Sequence, residues 1–529
     1  MKIQVLLTCA YFFFLTDVSI AQPGNLDLSF SSDGVVHGSL YEGLSCIALN
    51  NIILESGKVL ITGGSNVPGN SYVGLIQRFL SDGGDDPGFS ETGNVTLTLP
   101  GKPCYAINSI ELPDGKILTL AGVNANLEDV IALFRIHPEG SPDETFGPNG
   151  MVIVDPGFTE QAPRYMVRQP DGKLVIGGYA KHKEDSFQKF MVVRCLPDGS
   201  MDKSFGENGF VTSEIGSGNA KIESLCLQAD GKIVVAGNGV FNGKENIVVV
   251  RYKPDGTPDN SFHQDGMVNI AFQNDNFRAF RTLIQADGKI VVSGYIRSGN
   301  SDSDFVAARL NANGNPDTEF NEDGIARIAI SSYADEARAM VIQEDGKIIL
   351  AGYAHSNSPE GSNSALVRLT QEGYPDPLFG ENGIVESDHN DHSNSLLGLT
   401  SQHDGKIVGV GRCYVGDFTK CLIARFTTGL TVSTSDPSLQ PASVSVYPNP
   451  VMEEISIEYQ LENEETISIR LVDLHGRVIE NLLAPSNRQS GQHKETFAID
   501  RGKSNGTYCI QIVTQNGVYA QKVILIQAS

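Results

Sequence analysis

One short stretch of the chain crowds carboxylate and imidazole together: Asp388, His389, Asp391 and His392 fall within five residues. Residues of these types hold divalent metals or move protons near neutral pH. A solvated polar loop has the same composition, and that alternative stays open. Asp302 and Asp304, in the run SDSD, could help to hold calcium, although they lack the graded ligand spacing of an EF-hand loop. The chain has no G-x-S-x-G elbow, no H-E-x-x-H pair and no phosphate-cradling glycine loop. Paired carboxylates for glycoside cleavage would have to come from parts of the chain far apart in sequence. The sequence therefore names no catalytic residue, no cofactor-binding residue and no metal ligand, and it calls for no cofactor.

Any such residues must be positioned by a repeat. The phrase QADGKIVVAGN at 228–238 returns as QADGKIVVSGY at 285–295 and QEDGKIILAGY at 343–353. Its glycine recurs at Gly57, Gly115, Gly172, Gly231, Gly288, Gly346 and Gly405, in steps of 57 to 59 residues, and a lysine follows each one. An arginine comes 20 to 22 residues later, from Arg78 to Arg425. Eight residues beyond each of the first six arginines stands an aspartate, and three beyond that a phenylalanine, as in Arg251, Asp259 and Phe262. The seventh copy of this last element is missing after Arg425 but stands near the start of the chain, as Asp27 and Phe30. Seven complete periods thus run from Gly24 to Gly429.

Each period reads as four short strands rich in Val and Ile, bounded by Gly, Asp, Asn or Pro, with no helical periodicity. Runs such as KIVVAG are apolar at consecutive positions, as in strands covered on both faces. Such units bury both faces only by stacking radially, which predicts an all-β, closed, seven-bladed β-propeller of four-stranded blades. An open β-solenoid is the alternative. Asp-Gly between two apolar runs predicts a two-residue hairpin turn with both residues at positive φ. The arginines are expected to tie each strand to the connection that follows it, an ion-binding ring of the recurring Arg and Asp being the alternative, and the phenylalanines to wedge between blades. The lysines read as solvated strand ends or, alternatively, as an ammonium ring for an anion. The DGK turns and the D-x-x-F connections share one end of the blades. The loops of varied sequence share the other end, so a ligand is expected on that face or at the mouth of the central channel.

The ends of the chain carry addresses. Lys2, an apolar run from about Val5 to Leu15 and the small residues before Gln22 read as a secretory signal peptide over 1–21. No later stretch is long and apolar enough to span a membrane. The net charge of −24 argues against nucleic acid and anionic membranes as partners. Removal of the leader takes Cys9 and leaves seven cysteines, of which Cys413 and Cys421 either pair across a hairpin or remain two thiols. The repeats are assigned to 22–430 and a Ser/Thr/Pro linker to 431–443. A separate module of short alternating strands follows at 444–529, suited to a small β-sandwich.

In that module VYPNP (446–450), IRLVDLHGRVI (469–479), NGTYCIQI (505–512) and QKVILIQ (521–527) occur in order. This tail resembles the type A C-terminal sorting domain of type IX secretion cargo. The resemblance implies that the type IX machinery is a partner, that the chain crosses the outer membrane of a Bacteroidetes-type bacterium, and that it is released or held at the cell surface. The repeats resemble the delta-sixty bacterial repeat family, which carries no general activity. The leading expectation is a secreted or cell-surface protein that binds a glycan or protein ligand. A polysaccharide hydrolase or lyase with its site at the channel mouth, or a structural envelope component, are the alternatives.

Overall fold

The computed structural model describes residues 23–429 and 445–525, apart from 41–42, 69–70, 100–101, 123–129, 273–274, 299–301, 356–360, 390–392, 449–450, 452–453, 462–463, 474–477, 500–505 and 514–517. The leader and the linker thus lie outside the described residues. Between Val35 and Phe426 the described chain forms four-stranded antiparallel sheets, one per period. A representative sheet runs Lys221–Leu227, Ile233–Phe241, Lys244–Tyr252 and Met267–Ile270, from inner to outer strand. The middle strands are buried on both faces because the side chains of one sheet pack into the next. Val234, Ala236 and Val249, for example, share a core with Phe277, Ile290 and Val306 of the following sheet. Each inner strand packs beside the next inner strand, and that of the last period packs beside that of the first. This is the architecture of a β-propeller.

The last sheet is composite. Its three inner strands are Asn394–Ser401, Ile407–Val415 and Phe418–Phe426, and its outer strand is Val35–Gly38 from the other end of the chain. Val35 pairs with Ala424 and Gly38 with Cys421. The early copy of the Asp–Phe element therefore completes the late arginine.

Around each arginine the sequence pattern becomes one buried cluster. The Arg Nε to Asp Oδ2 distances run from 2.5 to 2.8 Å in all seven pairs, including Arg425 with Asp27. The guanidinium lies over the paired phenylalanine ring, 4.4 to 4.7 Å from its centroid. In six of the seven, Nη1 also donates to a carbonyl in the next sheet, for instance Arg251 to Ala312 O at 2.6 Å and Arg425 to Ser81 O at 2.5 Å. The repeated lysines are part-exposed at the strand starts and do not form a free cationic ring. Each stands 2.9 to 3.5 Å from the same aspartate.

One further expectation is corrected, and one pair of alternatives is decided. In the DGK turns only the glycine has positive φ, 81° at Gly231, and Gln228 and Lys232 close a three-residue loop. This is a type I turn ending in a left-handed glycine, and it leaves Asp230 in an ordinary conformation with its carboxylate accepting the Lys232 amide. Cys413 stands in register with Lys420 and Cys421 with Arg412, so the two thiols do not pair. The Cys421 amide instead donates to Cys46 Sγ at 3.0 Å, across the seam between the last and first sheets.

The tail forms a three-stranded sheet, Ser445–Tyr447, Glu454–Leu461 and Gly491–Ala498, and a four-stranded sheet that includes Glu465–Asp473 and Gly506–Val513. Ile455 and Ile457 of the first share a core with Ile467, Ile469 and Ile510 of the second.

The arginine clusters set the acid limit of the fold. Burial alone would raise the Asp259 carboxyl, but Ser261, Arg251 and Lys232 outweigh it and hold the group at about 2, and Asp202 and Asp27 are also held at about 2. A depressed folded-state pKa gives stability that is present above the unfolded value near 4 and lost as pH falls toward 2. Asp259→Asn should therefore flatten the dependence of the urea midpoint on pH between 4 and 2. At pH 7, Arg251→Ala should cost about 3 kcal/mol, because it strips a buried carboxylate of its main partner. Arg251→Lys should recover only part of that loss, since a lysine cannot both pair with Asp259 and reach Ala312.

Candidate functional site

Every inner strand carries one β-bulge, at the same place in each period. The register shifts fall between Ala48 and Asn50, Ala106 and Asn108, Pro163 and Tyr165, Ile222 and Ser224, Ala279 and Arg281, Ala337 and Ala339, and Leu396 and Gly398. The extra residue is Leu49, Ile107, Arg164, Glu223, Phe280, Arg338 or Leu397, and all seven line one cavity of about 690 Å³ on the axis. A bulge re-aims a side chain without ending the sheet. Opposite six of the bulges stands a glycine. A Cβ there would sit 1.7 to 2.0 Å from an inner-strand carbonyl oxygen, as at Gly294 against Arg278 O and Gly352 against Glu336 O. The glycine of VVSGY and ILAGY is thus kept small by the bulge it faces.

The cavity has two unlike walls. Leu49, Ile107 and Leu397 form an apolar side, capped by Tyr72 and Tyr105 with ring centroids 4.3 Å apart. Across from them stand Arg164, Arg278 and Arg338, together with Phe280 and Tyr179. These cations are held in place. Arg338 lies 4.1 Å over the Phe280 ring and donates to Glu336 Oε2 at 2.5 Å, while Arg278 donates to Glu245 Oε1 at 3.2 Å. The Nε donors of Arg164 and Arg338 are buried and have no hydrogen-bond partner among the described residues. Glu223 sits between them, 3.8 Å from Arg164. Burial raises its carboxyl, against the opposing charges of Arg164, Arg278, Lys221 and Arg338. With Arg281 and Arg412, five arginines and one glutamate line the cavity.

The mouth faces the varied loops. Tyr72, Tyr179, Arg412 and Thr419 line it from the strand ends that lead into those loops, opposite the DGK turns. The cavity thus opens toward the face that carries the varied loops, and none of the residues singled out from the sequence lines it. His389 is buried, and burial together with the charge of His37 lowers its imidazole to about 4, so it is neutral at pH 7. Asp388 accepts from Asn394 Nδ2 at 3.3 Å, and Asp391 and His392 lie outside the described residues. Asp304 is buried and bonded to Arg327, which ties its strand to the outer one, while Asp302 is half-buried. Among the described residues no three His, Cys, Asp or Glu side chains form a metal-holding group. The bulge residues do have a sequence signal: each stands eight positions before the turn glycine.

Comparison with known proteins agrees with this architecture. Residues 169–205, 228–262, 285–320 and 343–379 match the β-propeller family described as a domain of unknown function (DUF5122). Residues 445–527 match the secretion system C-terminal sorting domain. The chain is a secreted or outer-surface protein. No helix among the described residues is long and apolar enough to cross a membrane. No curated protein matches the sequence. Among solved structures, it is similar to PorZ, a surface component of the type IX secretion system of Porphyromonas gingivalis, at 12% identity and a TM-score of 0.28, over 89% of this chain and 68% of that one. It is also similar to the polysaccharide lyase Uly1, at 11% identity and a TM-score of 0.40, over 72% of this chain and 90% of that one. The Bacillus subtilis arabinanase Arb43A shares 15% identity with a TM-score of 0.29, over 52% and 98%.

The bulge–glycine pairing is directly testable. Gly352→Ala should cost about 1–3 kcal/mol, because the bulge carrying Arg338 must shift to admit the methyl group. The second sheet already has Ala121 at the corresponding register position, so Ala121→Gly should change stability by less than about 1 kcal/mol. Thermal melts of the two variants would give the comparison; equal losses would show that the glycine is not kept for the bulge.

Proposed function

We propose that the protein is an exported, seven-bladed propeller that binds an acidic glycan in its axial cavity. In this reading residues 1–21 are the signal peptide, 22–430 the closed ring, 431–443 the linker and 444–529 a β-sandwich that hands the chain to the type IX machinery. The observation that carries the proposal is the gathering of five arginines on one cavity of a chain whose net charge is −24. Cationic groups in a recess focus field and collect anions. The neighbouring Tyr and Phe rings offer flat apolar faces suited to the C–H faces of a sugar, and the cavity volume falls in the range of small-ligand sites. A protein partner would favour a broader surface than this recess.

The test is retention of the mature protein on immobilised polygalacturonate and alginate, with dextran as the neutral control. Binding to both polyuronates and not to dextran is expected, and it should weaken as salt rises. Arg338→Ala should lower affinity at least tenfold, the scale of one lost charge-assisted hydrogen bond of about 1.5–3 kcal/mol. Equal retention on dextran, or an unchanged Arg338→Ala affinity, would remove the arginines from the site. New chain ends in the eluted polymer, read by mass spectrometry, would replace binding by cleavage and direct attention to the raised carboxyl of Glu223.

A further inference from the structure

The axial cavity is crossed by side chains at its inner end, and this bears on how a polymer can enter it. Arg281, from the fifth inner strand, reaches across the axis and donates from Nη2 to Asn50 Oδ1 of the first inner strand at 3.2 Å. On the way its guanidinium lies 4.5 Å over the ring of Tyr165, from the third. Arg281 is 9% exposed and Asn50 8%. The same Asn50 oxygen also accepts the Asn51 amide at 2.9 Å, so the acceptor is fixed on its own strand. Side chains from three sheets thus meet beneath the arginine wall and bridge the channel. Because Arg281 is both hydrogen-bonded and stacked, moving it aside would cost its Nη2 donor the Asn50 acceptor and its guanidinium the Tyr165 face.

From this floor, and resting on the acidic-glycan reading above, we infer that the cavity takes the end of an acidic polysaccharide and not an internal segment. A strand of sugar threading the ring would need an exit through Arg281, Asn50 and Tyr165. A volume of about 690 Å³ holds one drug-sized ligand, on the order of two sugar units. The terminal carboxylate meets Arg164, Arg278 and Arg338 on one side, and the opposite face of the terminal ring meets the apolar wall of Leu49, Ile107 and Leu397. The remaining units lead out through the mouth toward the varied loops. The site thus counts chain ends, and its ligand class is a uronate-terminated oligosaccharide.

The experiment is calorimetric titration of the mature protein with galacturonate oligomers of one to eight units, and with polygalacturonate of known mean length. End recognition predicts that affinity climbs to two or three units and then stays within about twofold. It also predicts that stoichiometry on the polymer follows the number of chains and not their mass. Methyl-esterified oligomers of the same lengths should bind at least tenfold more weakly. Affinity that keeps rising through eight units, or several proteins bound per polymer chain, would show an internal segment lying across the mouth; it would overturn end recognition while leaving the acidic-glycan reading intact. Retention of neither oligomer nor polymer would overturn both.

Discussion

The fold depends on one interaction repeated around the ring: a buried arginine that pairs with an aspartate, stacks on a phenylalanine and, in six of seven cases, reaches a carbonyl of the neighbouring sheet. A guanidinium carries five donors in a rigid plane and stays charged, so it can serve several acceptors at once while its face lies on a ring. Burying it without those partners would cost several kcal/mol. The pattern of one Arg, an Asp eight residues on and a Phe three beyond is the sequence form of that requirement. It also explains why the chain must be closed by its own beginning. Arg425 has no aspartate eight residues later, and Asp27, more than 390 residues earlier, supplies the missing carboxylate. The last sheet takes its outer strand from the same N-terminal stretch, so strand pairing and ion pairing close the same seam.

This division of labour frees the axis. The Arg–Asp–Phe clusters hold sheet to sheet near the DGK end, where the sequence hardly varies. The bulges sit on the inner strands, where the extra side chain lines the channel, Ile107 also packing against the core between two sheets. Backbone geometry there is fixed by the bulge and by the glycine opposite, so the residue type can change freely. It is leucine or isoleucine in three periods, charged in three and phenylalanine in one. A repeat that is monotonous in its scaffold is thereby varied at the one place where seven strands converge.

Much of this could be read from the sequence, and the limits are instructive. The period, the strands, the paired ends and the face carrying the varied loops follow from spacing and apolar runs, which are local properties. The turn type did not follow, because Asp-Gly fits both a two-residue and a three-residue hairpin loop, and the choice lies in hydrogen bonds between Gln228 and Lys232. The cavity was hidden for a different reason. Arg281 and Asn50 are 231 residues apart, and only closure of the ring brings them together. The cluster at 388–392 attracted attention because its residues are adjacent in sequence, yet burial there leaves His389 a neutral core imidazole. Proximity along the chain is weak evidence for a site in a ring-shaped fold, where functional neighbours come from different repeats. The position eight before each turn glycine was the better guide, and only its register with the bulge gives it meaning.

The electrostatics of the two surfaces work together. A net charge of −24 spread over the molecule repels a polyanion that lies along its outside, and at physiological ionic strength that repulsion reaches about 8 Å from the surface. The arginines of the cavity stand together in one recess, where their field is concentrated at the mouth. A long acidic chain approaching broadside therefore meets net repulsion, whereas its tip presents few charges to the acidic exterior and can place its terminal carboxylate on Arg338 and Arg278. The acidic body and the cationic recess thus favour the same approach that the floor of Arg281, Asn50 and Tyr165 requires, an approach by the end of the chain.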